Sequence, residues 1–148
     1  LLKYGPIGPN NKSLTNNLFK AMDTKKDFKI FGANHKTKDG TPVRDFIHVD
    51  DLTSIHFKAL EYLKKTKKNQ ICNCGYGKGY SIKEVAEIFK KKNFKNFSYS
   101  FTNKRLGDIS YMVADVNKIN KLLNWKPKFS SLEKMLTSEI KWKIKIKK

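Results

Sequence analysis

Residues 37–52 read TKDGTPVRDFIHVDDL, a turn, an alternating run and a doublet of acids in immediate succession. Asp39-Gly40 is a turn signal. Beyond it VRDFIHV alternates, with Val43, Asp45, Ile47 and Val49 on one side and Arg44, Phe46 and His48 on the other, which predicts a strand. Asp50 or Asp51 is expected to cap a helix over 51–65, whose apolar stripe is Leu52, Ile55, Ala59, Leu60 and Leu63. Arg44 is the unusual residue in this stretch. The chain carries 30 lysines but only two arginines, Arg44 and Arg105, each in a short segment that also holds an aspartate.

Working outward, the same strand-and-helix grammar repeats. Residues 13–23 predict a helix capped by Ser13 or Thr15, with Leu14, Leu18, Ala21 and Met22 on one face. FKIF (28–31) reads as a short strand, NHKTKDGTP as a loop, and QICNCG (70–75) as a compact strand followed by the glycine-rich turn YGKGY. Ser81 and Glu84 form a capping box for the next helix, with Ile82, Val85, Ala86, Ile88 and Phe89 as its buried face. FSYSF and YMVAD are further strands, separated by the polar loop TNKRLGDIS. Asp115 is expected to cap a short helix that ends near Leu123, before Pro127 breaks the chain. Ser130 and Glu133 are expected to make a second capping box that opens the last helix. Short strands alternating with helices make the chain an α/β unit of one domain over residues 1–148.

Composition bounds the rest. At 148 residues with 39% apolar and 30% charged, the chain can build one modest core. No apolar run approaches the ~18 residues a membrane helix needs. The opening LLKYGPIGPNN has neither the charged nor the apolar region of a signal peptide, and the missing methionine suggests a piece of something longer. Cys72 and Cys74 share one face of an extended segment and are expected to be small core residues. Their number suits a reducing, cytosolic compartment, and no histidine stands at zinc spacing from them. The net charge of +19 admits a nucleic-acid-binding domain. The lysines are dispersed, however, and two of their clusters, 64–68 and 90–92, fall where helices should end and dipoles favour cations. No zinc-finger, zipper or aromatic RNA-binding pattern accompanies them.

The chemistry rests on the arginines. YGKGY lacks the full dinucleotide fingerprint and the P-loop register, and no serine or cysteine sits in a nucleophile elbow. A guanidinium is chosen over an ammonium where a planar fork must grip phosphate or carboxylate at two points. Two such forks with a nearby carboxylate form a coherent nucleoside-diphosphate site. Equally, each arginine could simply pair with its neighbouring aspartate, Asp45 or Asp108.

FKIFGANHKTKDGTPVRDFIHVDDL resembles the corresponding stretch of UDP-glucose 4-epimerases, in the extended short-chain dehydrogenase class. TNNLF, CNCGYGKGYSIKEV, RLGDISYMVAD and LNWKPKFSSLEKM resemble, in order, further elements of that family. The resemblance implies the C-terminal, substrate-binding portion of an extended Rossmann-type fold. It implies an enzyme that interconverts UDP-glucose and UDP-galactose through a 4-keto intermediate with NAD, cytoplasmic and homodimeric. Asn17 and Leu18 would contact the UDP-sugar, and Lys29, Ile30 and Phe31 would line the uracil side. Arg44 and Arg105 would hold the diphosphate, and Asp108 a ribose hydroxyl. Three positions depart from the family: His35 and Phe46 stand where tyrosines are usual, and Met112 where an aromatic often follows the GD pair. LLKYGPIGP also departs from the family's tyrosine-phenylalanine-asparagine. The glycine fingerprint and the Tyr-x-x-x-Lys pair are absent, so the NAD-binding and catalytic residues are expected on an N-terminal Rossmann domain outside this chain, which alone should be inactive. A related nucleotide-sugar epimerase or dehydratase is the alternative within the class.

Overall fold

The computed structural model describes residues 13–92 and 96–146. The signal-peptide reading and the LLKYGPIGP departure lie outside the described residues. Helix α1 (Leu14–Asp23) begins where predicted, with Ser13 Oγ accepting from the Asn16 N–H at 3.2 Å. Strand β1 (Phe28–Phe31) follows, then β2 (Val43–Asp45), α2 (Val49–Thr66), β3 (Gly79–Ser81) and α3 (Ile82–Lys91). The chain continues through β4 (Tyr99–Thr102), β5 (Tyr111–Met112), α4 (Asn117–Leu123) and α5 (Leu132–Ile146). The α/β expectation holds.

The strands form two small sheets. Strand β1 pairs in parallel with β4, from Phe28 opposite Tyr99 to Phe31 opposite Thr102. Strand β2 lies between β3, antiparallel, and β5, parallel. The main core joins α1, β1, α3 and α5: Leu18, Ile30, Ala86 and Phe89 are fully buried, and Phe19 meets Phe89 edge-on at 5.1 Å. Burying such side chains stabilises by about 1.5–3 kcal/mol each. Phe46 packs against this cluster, as suits a position whose phenol is replaced by a phenyl. A second cluster of Ile55, Ile119 and Trp125 ties α2 to α4.

The DGT element is a knot. Asp39 Oδ1 accepts from the N–H and the hydroxyl of buried Thr41 at 2.9 and 2.8 Å, and Asp39 Oδ2 accepts from Ser81 Oγ. Ser81 and Glu84 complete the predicted capping box. The start of β2 is thereby fixed to the N-terminus of α3. Gly40 (φ +78°) belongs to the turn, and a Cβ there would lie 2.2 Å from the Ala33 carbonyl oxygen.

Several expectations are corrected. The VRDFIHV strand stops at Asp45, because His48 Nδ1 accepts from the Asp50 N–H and starts α2 at Val49. Asp50 and Asp51 are therefore first-turn residues rather than caps. Asp51 is drawn inside, where its carboxylate accepts from the Lys128 and Phe129 N–H groups and from Tyr76 Oη. QICNCG is not a strand: among the described residues no strand pairs with it to complete its hydrogen bonds, and Ile71 is 90% exposed. Cys74 is correspondingly exposed and only Cys72 packs. The residues Gly79 and Tyr80, read as turn, instead pair with β2. Of the α2 stripe Ile55 alone is buried; Leu60 and Leu63 face out, as does Phe57. Val116 occupies the N-cap of α4, although Asp115 still accepts from the Asn117 N–H at 3.0 Å. The first residue of α5 is Leu132, one later than a cap at Ser130 would set. Among the described residues no helix is long and apolar enough to cross a membrane.

Candidate active-site cleft

Strand alternation puts Arg44 and Asp45 on opposite faces of β2, which decides between their two possible partnerships. Asp45 turns toward the 75–77 segment and β5. Its carboxylate accepts from the N–H groups of Tyr76 (3.1 Å), Gly77 (2.9 Å) and Ala114 (3.3 Å). Arg44 points the other way and meets Asp108, with Nη2 donating to Oδ1 at 2.9 Å, while Nη1 donates to the Val43 carbonyl at 2.8 Å. Neither arginine pairs with its neighbouring aspartate.

Asp108 and Arg105 arrive on the loop between β4 and β5. Parallel pairing with β1 fixes one end of this loop, where the Gly32 N–H donates to the Thr102 carbonyl at 2.8 Å. Pairing with β2 fixes the other, where the Val43 N–H donates to the Ser110 carbonyl at 2.9 Å. Between them the Asp108 N–H donates to the Arg105 carbonyl at 3.2 Å, closing a turn that needs positive φ at Gly107 (+75°). The Arg105 guanidinium stacks on the Phe31 ring, 3.6 Å from its centroid. His35, where the family resemblance calls for tyrosine, is buried beneath this arrangement. Its Nδ1 lies 3.1 Å from Ser110 Oγ and its Nε2 3.3 Å from the Phe31 carbonyl oxygen, bridging the two sheets.

The result is a cleft of about 660 Å³, lined among others by Asn17, Lys29, Phe31, Arg44, Arg105 and Asp108. That volume suits a nucleotide-sized ligand. Six of the eight residues singled out by sequence thus come together. Leu18 and Ile30 do not reach it: both side chains are fully buried in the main core, which leaves only main-chain groups for a ligand. Sequence reasoning missed Lys20 and Lys26, which add cations to the rim, and Asp27, which adds an acid. A helix-face reading could have found Lys20, three residues and so about one turn beyond Asn17 on α1. It placed Phe31 in the site but missed its stacking under Arg105, and it missed the Arg44–Asp108 pair, since nothing local connects residues so far apart in sequence. A larger, more apolar cleft lies between the start of α2 and α5, lined by Phe46, His48, Ser138 and Trp142 among others. None of the eight residues lines it. Among the described residues no group of three or more histidines, cysteines or acids could hold a metal ion.

Comparison with known proteins bears on what this cleft serves. The profile of the NAD dependent epimerase/dehydratase family matches residues 2–75, half of the chain. The chain is 37% identical over 142 residues to the UDP-glucose 4-epimerase of Lactobacillus helveticus, covering 93% of this chain and 43% of that protein. Its fold is similar to the solved UDP-glucose-4-epimerase of Stenotrophomonas maltophila with bound NAD and formylated UDP-arabinopyranose. There the TM-score is 0.89 at 28% identity, covering 97% of this chain and 43% of that one. The UDP-Glc/GlcNAc 4-epimerase of Campylobacter jejuni matches with a TM-score of 0.79 at 39% identity, covering 95% and 43%. The chain therefore spans about two fifths of the length of the relatives it matches.

Proposed function

Since the chain belongs to the NAD dependent epimerase/dehydratase family, we propose that it is the UDP-sugar-binding portion of a UDP-glucose 4-epimerase. The observation that carries this reading is the convergence of Arg44, Arg105 and Asp108 on one cleft with Asn17, Lys29 and Phe31. In this reading the two guanidiniums hold the diphosphate, Asp108 accepts from ribose, and the base lies along Lys29–Phe31. The enzyme interconverts UDP-glucose and UDP-galactose, with NAD as the hydride carrier. Binding energy from the UDP handle is then available to orient the sugar for reaction.

The glycine-rich 75–79 segment does not fit a dinucleotide. A Cβ at Gly75 would sit 2.4 Å from Asp45, and the Gly77 N–H is already given to that carboxylate. NAD is therefore held mainly by the rest of the enzyme. The exposed Phe57, Leu60 and Leu63 of α2, with the exposed Ile71 of the 70–74 segment, which pairs with no strand among the described residues, support a seat for that portion. A homodimeric state and a cytoplasmic location are further parts of this proposal, the latter in keeping with two free cysteines.

Calorimetric titration of UDP into the protein tests the reading. Arg44→Lys keeps the charge but loses the fork, and is expected to weaken UDP binding by about 1–3 kcal/mol, the scale of a hydrogen bond to a charged group. Arg105→Lys is expected to act similarly, with the double variant departing from additivity because both touch one ligand group. An unchanged dissociation constant in Arg44→Lys would remove Arg44 from the site. The chain without the rest of the enzyme is expected to leave UDP-galactose unconverted when NAD is added.

A further inference from the structure

We propose that His35 is a positioning residue for the UDP cleft, the tether that sets the loop bearing Arg105 and Asp108 against the Phe31 platform. The inference rests on the UDP-sugar reading and adds to it a residue that does not itself line the cleft. Residues 103–109, between β4 and β5, have little packing of their own to hold them. Leu106 is fully exposed, Ile109 is more than half exposed, and a Cβ at Gly107 would meet nothing within 4 Å. A segment with so few buried contacts keeps its place through its anchors. At one end the Thr102 carbonyl accepts from the Gly32 N–H, and at the other the Ser110 carbonyl accepts from the Val43 N–H. These anchors belong to different sheets, so the pairing within each sheet does not by itself fix the spacing between them.

His35 spans that gap. It is buried, and its ring reaches the Phe31 carbonyl oxygen through Nε2 at 3.3 Å and Ser110 Oγ through Nδ1 at 3.1 Å. A carbonyl oxygen only accepts, so Nε2 carries the hydrogen and, in the neutral ring, Nδ1 accepts from the Ser110 hydroxyl. One ring therefore holds the end of β1, whose Phe31 side chain carries the Arg105 guanidinium, to Ser110 at the far end of the loop. The ring is itself seated. The His35 N–H donates to the Gly40 carbonyl at 2.9 Å, and a Cβ at Gly32 (φ +85°) would lie 2.5 Å from Nε2, so a glycine keeps the space for it. Without the tether the loop visits placements in which Arg105 and Asp108 do not face one ligand together. Apparent affinity then falls in proportion to the fraction of molecules that remain competent.

The test is titration of UDP into the wild-type protein, His35→Leu and Ser110→Ala, each substitution made alone and combined with Arg105→Ala, with circular dichroism to show that every variant is folded. His35→Leu removes both bonds and is expected to weaken UDP binding about tenfold. Ser110→Ala removes one and is expected to weaken it about threefold, the scale of a single net hydrogen bond. In the Arg105→Ala background the His35→Leu loss is expected to shrink to about twofold, because the loop has already lost its cation. A general loosening of the fold would cost the same in both backgrounds, and equal losses overturn the proposal. Unchanged UDP affinity in folded His35→Leu overturns it as well; where that variant does not fold, unchanged affinity in Ser110→Ala does so. If the wild type binds no UDP, or Arg105→Ala binds it as the wild type does, the UDP-sugar reading falls and this inference with it. If Arg105→Ala weakens UDP and His35→Leu does not, the reading of the site stands and the tether does not.

Discussion

Replacing Asp51 by alanine should be among the most damaging single changes in the molecule. Its side chain is almost wholly buried and serves three donors: the Lys128 N–H at 3.0 Å, the Phe129 N–H at 2.8 Å and Tyr76 Oη at 2.7 Å. The donors come from the turn after residue 75 and from the segment that leads into α5, while Asp51 itself sits at the start of α2, so one carboxylate joins three parts of the fold. Burial and the bond to Asp51 push the Tyr76 phenol well above its ordinary pKa, so it remains a donor throughout the neutral range. Each orphaned buried donor costs about 1–3 kcal/mol. Exposed Lys128 admits water to its own N–H, which trims the sum to about 3–5 kcal/mol for Asp51→Ala. Tyr76→Phe removes one donor and also the oxygen that accepts from the His48 N–H, and should cost about 1–2 kcal/mol. The double variant should be less damaging than the two losses added, because the phenol is orphaned only once. Urea denaturation followed by circular dichroism measures all three. A loss below about 1 kcal/mol for Asp51→Ala, against a typical total of roughly 5–15 kcal/mol, would refute the reasoning.

Two further outcomes follow from the fold. Burial alone would raise the Asp39 carboxyl, but its bonds from Ser81 and Thr41 outweigh that and hold it below the usual carboxylate value. A depressed folded pKa means stability that is present above the unfolded value of about 4 and lost as pH falls through the folded one, so Asp39→Asn should flatten the acid limb of the stability curve. An acid limb identical to wild type in melts between neutral and strongly acidic pH would count against the Asp39 knot. The α2 face gives the other prediction. Phe57→Glu with Leu63→Lys should leave stability within about 0.5 kcal/mol, since both side chains already face solvent, while lowering self-association. Light scattering that does not fall in the double variant would show that this face is not the sticky one.

What the sequence disclosed and what it hid divide along the range of the interaction. The Ser81–Glu84 box and the Ser13 cap are decided within four residues, and both were legible. So was FKIF as a strand, since its pattern and its bounding glycine are local. QICNCG had an equally good pattern and failed, because a strand also requires a neighbour to complete its hydrogen bonds, and no strand among the described residues pairs with it. His48 displaced two aspartates as the cap of α2, against the usual preference. The cause lies about 77 residues away, where the Lys128 and Phe129 amides claim Asp51. Asp45 behaves the same way. Beside an arginine in sequence it suggests an ion pair, yet β alternation turns it from Arg44 toward three main-chain N–H groups, those of Tyr76 and Gly77 in the 75–77 turn and of Ala114 just past β5. Both acids close backbone accounts in distant loops, and that frees Arg44 for the cleft. The sequence can therefore nominate Arg44 by its type, but only the folded chain shows that its neighbour is occupied elsewhere and that Asp108 is the carboxylate it meets.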